Sequence, residues 1–212
     1  MLETIKNRYD AFGPTMVKAL TRKHFEAYYC STKEEALEKA LTLIPENHSV
    51  SWGGSMTVDA VGLKDALQKR GNKIIDRDTA KTPEERTKMM KEALTCNTFL
   101  MSSNAITQNG ELFNIDGVGN RVGALCYGPD SVVVIAGMNK IVKDMDEAYS
   151  KVRNYTAPCN NNRFNLDIPC KINGACNDCV SPQSCCCQFV ETRMCRPEGR
   201  IKVILVGENL GI

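Results

Sequence analysis

The sequence has little histidine, few aromatic side chains and no marked excess of either charge. Only two of its 212 residues are histidine, which disfavours a Ser-His-Asp triad and a histidine-rich metal site. Aromatic residues make up 6% of the chain, but the total apolar share of 42% is ample for a packed core and excludes global disorder. The net charge of +2, without a basic block, argues against a dedicated nucleic-acid binder.

Long apolar runs and a leader pattern are also missing from the sequence. The longest apolar stretches, such as Val132–Ala136, are far shorter than a helix that crosses a bilayer. The first residues, MLETIKNRYD, have neither the apolar region nor the cleavage pattern of a signal peptide. We therefore expect a cytoplasmic protein without membrane insertion, and its length suits one α/β domain with a small appendage.

Cysteine, by contrast, is abundant and unevenly placed. Of the 11 cysteines, Cys30, Cys96 and Cys126 are predicted to be small buried apolar residues, and the other eight fall between Cys159 and Cys195. A disulfide scaffold requires an oxidising compartment, for which the sequence has no export signal. The crowded segment therefore predicts metal or cluster ligands.

Hydrophobic patterning divides the chain into four segments. Within the second segment, the strand Ser49–Trp52, the helix Thr57–Arg70 and the strand Lys73–Asp76 form a βαβ unit, and a further helix is predicted from about Asn139 to Asn154. The apolar run Lys202–Val206 predicts that the cysteine segment is an insertion before the last strand. The segments are 1–46, an N-terminal helical portion; 47–158, the α/β core; 159–196, a cysteine-rich metal or cluster loop; and 197–212, the final strand of the core.

The first of two glycine-rich loops follows a predicted strand and opens a predicted helix. Its candidate ligand-binding residues are Gly53, Gly54, Ser55 and Thr57. Backbone N–H groups at such a helix start, with two hydroxyls beside them, are able to hold an anion. A tight turn in which Ser55 only caps the helix is the open alternative.

The second loop combines a carboxylate, two glycines and a guanidinium. Arg121 is suited to clamp a carboxylate or phosphate, and Asp116, Glu111 and Arg121 are the candidates for a catalytic role. We expect the residues after this loop to continue as a strand, which disfavours a dinucleotide site. A bulged hairpin with a surface Asp–Arg pair is the open alternative. The candidate ligand-binding residues of this region are Asn104, Thr107, Gly117, Gly119, Asn120 and Arg121.

Five runs in the middle of the chain carry a resemblance to a known family. They are Ser103–Leu112, Asn114–Val122, Tyr127–Pro129, Val132–Val134 and Gly137–Val142. These runs resemble the LUD-domain family, which includes the lactate-utilisation protein C type. The resemblance implies a Rossmann-like α/β fold with a largely parallel sheet, similar to that of ribose-phosphate isomerases, glucosamine-phosphate deaminases and CoA transferases. It also implies a role in the oxidation of lactate and in related carbon metabolism.

The cysteine segment resembles a short branch of the same family. The branch pattern Pro-Cys, then Gly-x-Cys-x-Asp-Cys-x-Ser-Pro, then a further cysteine implies four ligands. The contiguous run Cys185–Cys187 leaves the register of the last ligand open, because successive side chains diverge and cannot all face one metal. The ligands that the resemblance implies are Cys170, Cys176, Cys179 and Cys186.

The spacing of these cysteines favours an iron–sulfur cluster, with zinc as the alternative. Cys176 and Cys179 are separated by two residues, so both thiolates are able to reach one metal atom. Zinc ribbons usually have two such pairs, whereas one pair with two outlying cysteines is closer to iron–sulfur spacing. Ligation by sulfur alone disfavours calcium, magnesium and manganese.

These observations favour a redox protein, an oxidoreductase component that binds a small anionic metabolite and exchanges electrons with a partner subunit through an iron–sulfur cluster. Two alternatives stay open. One is an isomerase-like or transferase-like protein that binds a phosphometabolite and carries a structural zinc. The other is a regulatory binding module. The sequence leaves open the substrate, the electron partner and whether the chain forms a homo-oligomer.

Overall fold

The apolar run Ser131–Gly137 forms a strand in which every residue is buried. Burial of both sides of a strand is typical of parallel sheets that helices cover on both faces. The computed structural model describes residues 1–212 and contains ten strands. In chain order they are β1 (Glu26–Cys30), β2 (Ser49–Trp52), β3 (Lys73–Ile75), β4 (Thr98–Met101), β5 (Ala105–Thr107), β6 (Leu112–Asp116), β7 (Ser131–Gly137), β8 (Ile141–Val142), β9 (Gln188–Thr192) and β10 (Ile201–Val206).

Six of the strands form one parallel sheet in the order β1-β10-β7-β4-β2-β3. Every neighbouring pair is parallel, so all six carboxyl ends lie along one edge. The chain runs from β2 outward to β3 and then returns to the other side of β2 as β4. Such a reversal is a topological switch point, and ligands of open α/β sheets bind outside the carboxyl ends of the strands at such points.

Helices cover both faces of this sheet. Val132 and Val134 of β7 pack in a cluster with residues of the first and sixth helices, whereas Val133 and Ile135 pack with the second, third and fourth. This division follows from the alternation of side chains along a strand. The helices are α1 (Glu3–Arg22), α2 (Lys33–Leu43), α3 (Met56–Val61), α4 (Leu63–Arg70), α5 (Pro83–Glu92), α6 (Asn120–Cys126), α7 (Met145–Lys151), α8 (Ala157–Asn161) and α9 (Pro169–Asn173).

A second, four-stranded sheet has the order β8-β5-β6-β9. The turn at Asn109-Gly110 joins β5 and β6 as an antiparallel hairpin, as the sequence predicts. The last part of the cysteine-rich segment supplies β9, which pairs antiparallel with β6 from Leu112 opposite Thr192 to Asp116 opposite Gln188. This pairing joins the cysteine-rich segment to the end of β6, next to the second glycine-rich loop.

The α/β fold with a largely parallel sheet is confirmed, but four elements differ from the prediction. Residues 1–46 are not all helical, because Glu26–Cys30 forms edge strand β1. The predicted helix Thr57–Arg70 is two helices, divided at Gly62 by its left-handed backbone (φ 77°). The residues after Gly119 form helix α6 and not a strand. The helix predicted from Asn139 is replaced by a 3-10 turn, β8, α7 and a π-helical turn. None of the helices combines the length and the apolarity that a bilayer crossing requires.

Candidate functional site

A cavity of about 560 Å³, here called the edge cavity, opens at the carboxyl edge of the parallel sheet. It lies at the switch point between β2 and β4, the position at which α/β sheets bind ligands. Five of the six parallel strands contribute a residue that follows the strand. These residues are Gly54 after β2, Arg77 after β3, Ser102 after β4, Lys140 after β7 and Gly211 after β10.

Most of the residues predicted from the two glycine-rich loops line the edge cavity. Gly53 lies behind the cavity wall, where an added Cβ would approach the Arg121 Cδ to 2.9 Å. Gly119 lies beside the side chain of Gln188 and does not line the cavity. The predicted residues that do line it are Gly54, Ser55, Thr57, Asn104, Asp116, Gly117, Asn120 and Arg121.

Thr107 and Glu111 lie away from the edge cavity, in the β5–β6 hairpin. Glu111 accepts hydrogen bonds from the Lys23 Nζ at 2.6 Å and from the Thr107 Oγ1 at 2.8 Å. Burial alone would raise the pKa of Glu111, but hydrogen bonds from Lys23, Thr107 and Asn109 hold this pKa below its usual value. In this structure the Thr107 and Glu111 side chains therefore tie the hairpin to α1 and do not face the predicted ligand.

Arg121 is fully engaged within the protein. Each of its five N–H donors faces an oxygen of the chain, so the guanidinium fastens the second loop to the end of β4. No N–H donor of the guanidinium is therefore left for the bidentate binding of a ligand that we predicted at Arg121. Its positive charge nevertheless borders the cavity. The five contacts are Nη1 to Ser102 O at 3.0 Å and Asn114 Oδ1 at 2.7 Å, Nη2 to Asn104 Oδ1 at 2.9 Å and Ile115 O at 2.6 Å, and Nε to Asp116 Oδ2 at 3.4 Å.

Other cations of the edge cavity were not found by the sequence analysis. Arg77, Arg86, Arg163 and Lys140 all line it. Arg86 pairs with Asp78 at 2.9 Å, whereas the buried Nε of Arg77 has no hydrogen-bond partner. Burial and the nearby Arg86 charge lower the pKa of Arg77. Arg77 therefore brings a partly desolvated positive charge to the lining of the cavity, which suits the binding of an anion.

Lys140 is the most enclosed cation of the edge cavity, with 4% of its surface exposed. Its Nζ donates to the Ser102 Oγ at 2.9 Å and to the Thr57 Oγ1 at 3.2 Å. Burial, followed by the charges of Arg121 and Lys151, lowers the pKa of Lys140 to about 7. Its position directly after the central strand is a signal from which the sequence analysis could have identified it.

The first loop behaves as a helix cap. The Ser55 Oγ accepts a hydrogen bond from the Val58 N–H at 3.2 Å, as in the open alternative for this residue. The Thr57 Oγ1 donates to the Leu210 carbonyl at 3.3 Å and accepts from Lys140. Because α3 has only six residues, the positive charge of the cavity comes from its cationic side chains and not from this helix end.

A second cavity of about 250 Å³, here called the cysteine cavity, lies beside the first. Arg153 donates to the Cys176 Sγ at 3.3 Å, and Asn161 donates to the Cys170 Sγ at 3.5 Å. The four thiols are thus gathered around one space and two of them already accept hydrogen bonds. The predicted ligands that line this cavity are Cys170, Cys176, Cys179 and Cys186.

The contiguous cysteines separate the two cavities. Cys186 lines the cysteine cavity, Cys185 and Cys187 line the edge cavity, and Ser184 lines both. Of the triplet, Cys186 alone shares a cavity with the other predicted ligands. We call Ser184–Cys187 the dividing segment. Gly117 packs against it so closely that an added Cβ would lie 3.3 Å from the Cys185 Cα.

The thiols of the cysteine cavity have unequal acidities. Burial, followed by the charges of Cys185, Cys176 and Cys170, raises the pKa of Cys186 to about 11. Burial alone would raise the pKa of Cys176, but hydrogen bonds from the Asp178 backbone and from Arg153 hold this pKa below its usual value. No three Cys, His, Asp or Glu side chains of the structure form a group able to hold a metal ion. The donor set of four thiols around one cavity nevertheless suits a sulfur-ligated group in its chemistry.

The remaining cysteines lie outside both cavities. Cys195 is buried in the core, where its Sγ accepts a hydrogen bond from the Ile201 N–H at 3.3 Å. Cys30 and Cys96 are buried, as expected. Cys126 is exposed, contrary to the expectation, because it ends helix α6 at the surface.

A π-helical turn, Val152–Thr156, contributes one residue to each cavity. Arg153 lines the cysteine cavity and Thr156 lines the edge cavity. The Thr156 Oγ1 is buried and has no hydrogen-bond partner. Wide turns of this kind occur frequently at functional sites.

Comparisons with known proteins bear on the family and on the fold. A family model described as LUD domain matches residues 14–206. The crystal structure of a DUF162 family protein from Deinococcus radiodurans has a TM-score of 0.56 at 11% identity, covering 93% of this chain and 98% of that chain. Ribose 5-phosphate isomerase A from Methanocaldococcus jannaschii has a TM-score of 0.34 at 15% identity, covering 54% of this chain and 56% of that chain. Curated proteins give no match.

Proposed function

Because the chain belongs to the LUD domain family, we propose that it is a component of redox carbon metabolism, in the utilisation of lactate or a related organic acid. In this proposal the edge cavity binds a small anionic metabolite. The cysteine cavity holds an iron–sulfur cluster, which would supply one-electron transfer to or from a partner subunit.

The charge of the edge cavity supports the binding of an anion. Its lining includes Arg77, Arg86, Arg163 and Lys140, and the carboxylate of Asp116 faces the already engaged Arg121. Hydroxyl groups of Thr57, Ser102 and Thr156 supply neutral hydrogen-bond partners. A small carboxylate or phosphate would gain charge-assisted hydrogen bonds here.

The cysteine cavity supports a polyatomic group. Its volume of about 250 Å³ is several times the share of one water molecule in the liquid, about 30 Å³. Cys170, Cys176, Cys179 and Cys186 would hold the cluster. Asn161 and Arg153 already donate hydrogen bonds to two of the thiols, and hydrogen bonds to the sulfurs are among the factors that set the reduction potential of such clusters.

The observation that carries the proposal is the shared boundary of the two cavities. The dividing segment presents Cys186 to one cavity and its two neighbouring cysteines to the other. A bound metabolite and a bound cluster would therefore be separated by a single layer of backbone. Such closeness suits electron exchange between them, whereas a purely structural zinc has no need of it.

The proposal is tested on protein purified without oxygen, by its visible absorption and its iron, sulfide and zinc contents per chain. We expect a brown protein with matched iron and sulfide. Cys186→Ser should lose most of the iron, whereas Cys159→Ser, which alters a thiol outside both cavities, should keep it. Colourless protein with one zinc per chain would overturn the redox proposal and favour the isomerase-like or transferase-like alternative.

A further inference from the structure

Lys140 is buried, whereas most lysines in proteins are exposed to solvent. Enclosing an ammonium group disfavours its charged form unless an opposite charge lies beside it. Neither hydrogen-bond partner of the Lys140 Nζ is charged, and the positive charges of Arg121 and Lys151 add to the effect of burial in lowering its pKa. The amine therefore exchanges its proton near neutral pH, which is the condition for a lysine to act as a nucleophile.

The backbone around Lys140 is held firmly at the end of β7. Lys140 ends the 3-10 turn Met138–Lys140. The Lys151 Nζ donates to the Asn139 carbonyl at 2.6 Å, and the Leu210 N–H donates to the Asn139 Oδ1 at 3.1 Å. These contacts fix the turn, so the Nζ stays at the floor of the edge cavity between Ser102 and Thr57.

We propose that Lys140 is a catalytic nucleophile that forms an imine with a small 2-oxo carboxylate bound in the edge cavity. This inference rests on the anion site of the proposed function and adds the substrate class. The cavity offers cations for the carboxylate, among them Arg77, whose nearest ion pair is a long one of 3.9 Å between its Nε and Asp78. A 2-oxo acid is also the product expected from the oxidation of a 2-hydroxy acid such as lactate.

The step balances without an oxidant or a reductant. The neutral Nζ attacks the carbonyl carbon and a C–N bond forms. The carbonyl oxygen then leaves as water, taking both amine protons, and a C=N bond remains. The Ser102 hydroxyl lies 2.9 Å from the Nζ and makes only a long hydrogen bond of 3.4 Å to the Ser103 carbonyl, so it is placed to donate to the oxygen as it leaves.

The imine is tested by incubating the full-length protein with pyruvate and sodium cyanoborohydride at pH 7, followed by peptide mass spectrometry. The reductant converts the imine into a stable secondary amine. We expect labelling of Lys140 to be at least about tenfold faster than labelling of exposed lysines. Lys143, whose side chain is 80% exposed and which lies three residues away, is the internal control. Lys140→Met should remove the fast label and leave the slow labelling of Lys143 unchanged.

Calorimetric titration with pyruvate, without the reductant, separates the two proposals. Binding of pyruvate without a label at Lys140 would overturn the imine and leave the anion site standing. Absence of both binding and label would overturn the imine and count against the anion site of the proposed function. Labelling spread evenly over exposed lysines would also overturn the inference.

Discussion

Lys140 takes its chemistry from the residues around it and not from its own type. The folded chain lowers its pKa from 10.5 to about 7, through burial and the charges of Arg121 and Lys151. Between these two values the unfolded chain keeps a proton that the folded chain has released, so the free energy of unfolding increases as the pH rises. This contribution disappears when the amine is replaced.

We therefore expect the stability difference between the natural protein and Lys140→Met to depend on pH. The natural protein should gain up to about 1.4 kcal/mol per pH unit relative to the variant between pH 7 and pH 9. Urea unfolding of both proteins at pH 7, 8 and 9 measures this. Parallel stability curves would contradict the assignment of a near-neutral pKa to Lys140.

Arg77 gives a second prediction at the residue scale. Arg77→Gln should weaken pyruvate binding by about ten- to a hundredfold, because a charged hydrogen-bond donor contributes about 1.5–3 kcal/mol. Calorimetric titration measures the affinity. Arg8→Gln makes the same change in net charge far from the cavity, in α1, and should leave binding unchanged. An equal loss in both variants would mean that only the overall charge matters.

At the residue scale, the sequence pointed to the two loops and to Arg121, but not to Arg77 or Lys140, which also line the edge cavity. Arg121 was conspicuous between glycines, yet the fold surrounds it with acceptors from β4 and β6. Arg77 and Lys140 stand in ordinary sequence surroundings and gain their roles from the meeting of β3 and β7 ends at one edge. Which strand ends lie close together depends on the order of the strands in the sheet. Local sequence patterns do not predict that order.

At the scale of elements, the hairpin β5–β6 is fastened to α1 by the pair Lys23–Glu111. The two side chains are 12% and 15% exposed and their charged atoms are 2.6 Å apart. The folded chain holds the pKa of Glu111 below its usual value, so the pair stabilises the protein above the ordinary glutamate pKa. This stabilisation is lost as the pH falls through the lowered pKa of the folded state.

We expect Glu111→Gln to lower the free energy of unfolding by about 1–3 kcal/mol at pH 7. At pH 4 the difference between the two proteins should be smaller than at pH 7, because the stabilisation begins to be lost once the pH falls below the ordinary glutamate pKa of about 4.3. Urea denaturation at the two pH values measures both effects. Glu34→Gln is the matched control, since Glu34 lies 4.0 Å from Lys33 with 70% of its side chain exposed, and it should change little. A similar loss in both variants would contradict a specific role of the Lys23–Glu111 pair.

The elements that sequence patterns missed are those decided by tertiary contacts. Strand β1 has five residues between two helices, and only its pairing with β10 makes it a strand. Strand β9 follows the cysteines, where composition predicted a loop, and it forms by pairing with β6. The central strand β7 was predictable because a continuous apolar run of this length is typical of a strand that is buried on both faces, whatever its neighbours in the sheet.

At the scale of the whole molecule, the sequence indicated both a ligand site and a cysteine site but not that they adjoin. Their contact depends on β9, which leads the chain back along β6 and brings the dividing segment against Gly117. This pairing joins residues about 70 to 80 positions apart in the chain, such as Leu112 and Thr192. The two sites therefore form one unit because of the smaller sheet, although segments that follow strands of the larger sheet also line the edge cavity.

Successive cysteines of the dividing segment line different cavities. This arrangement makes the cysteine cavity tolerant of a shift of the segment by one residue. A slip of one residue would turn Cys186 toward the edge cavity, and it would turn Cys185 or Cys187 toward the cysteine cavity. With serine or alanine on both sides of Cys186, the same slip would leave the cysteine cavity one thiol short. In the proposed cluster site, three identical residues in succession would act as a spare set of ligands, so that a small insertion or deletion beside them would move the backbone without removing the fourth sulfur.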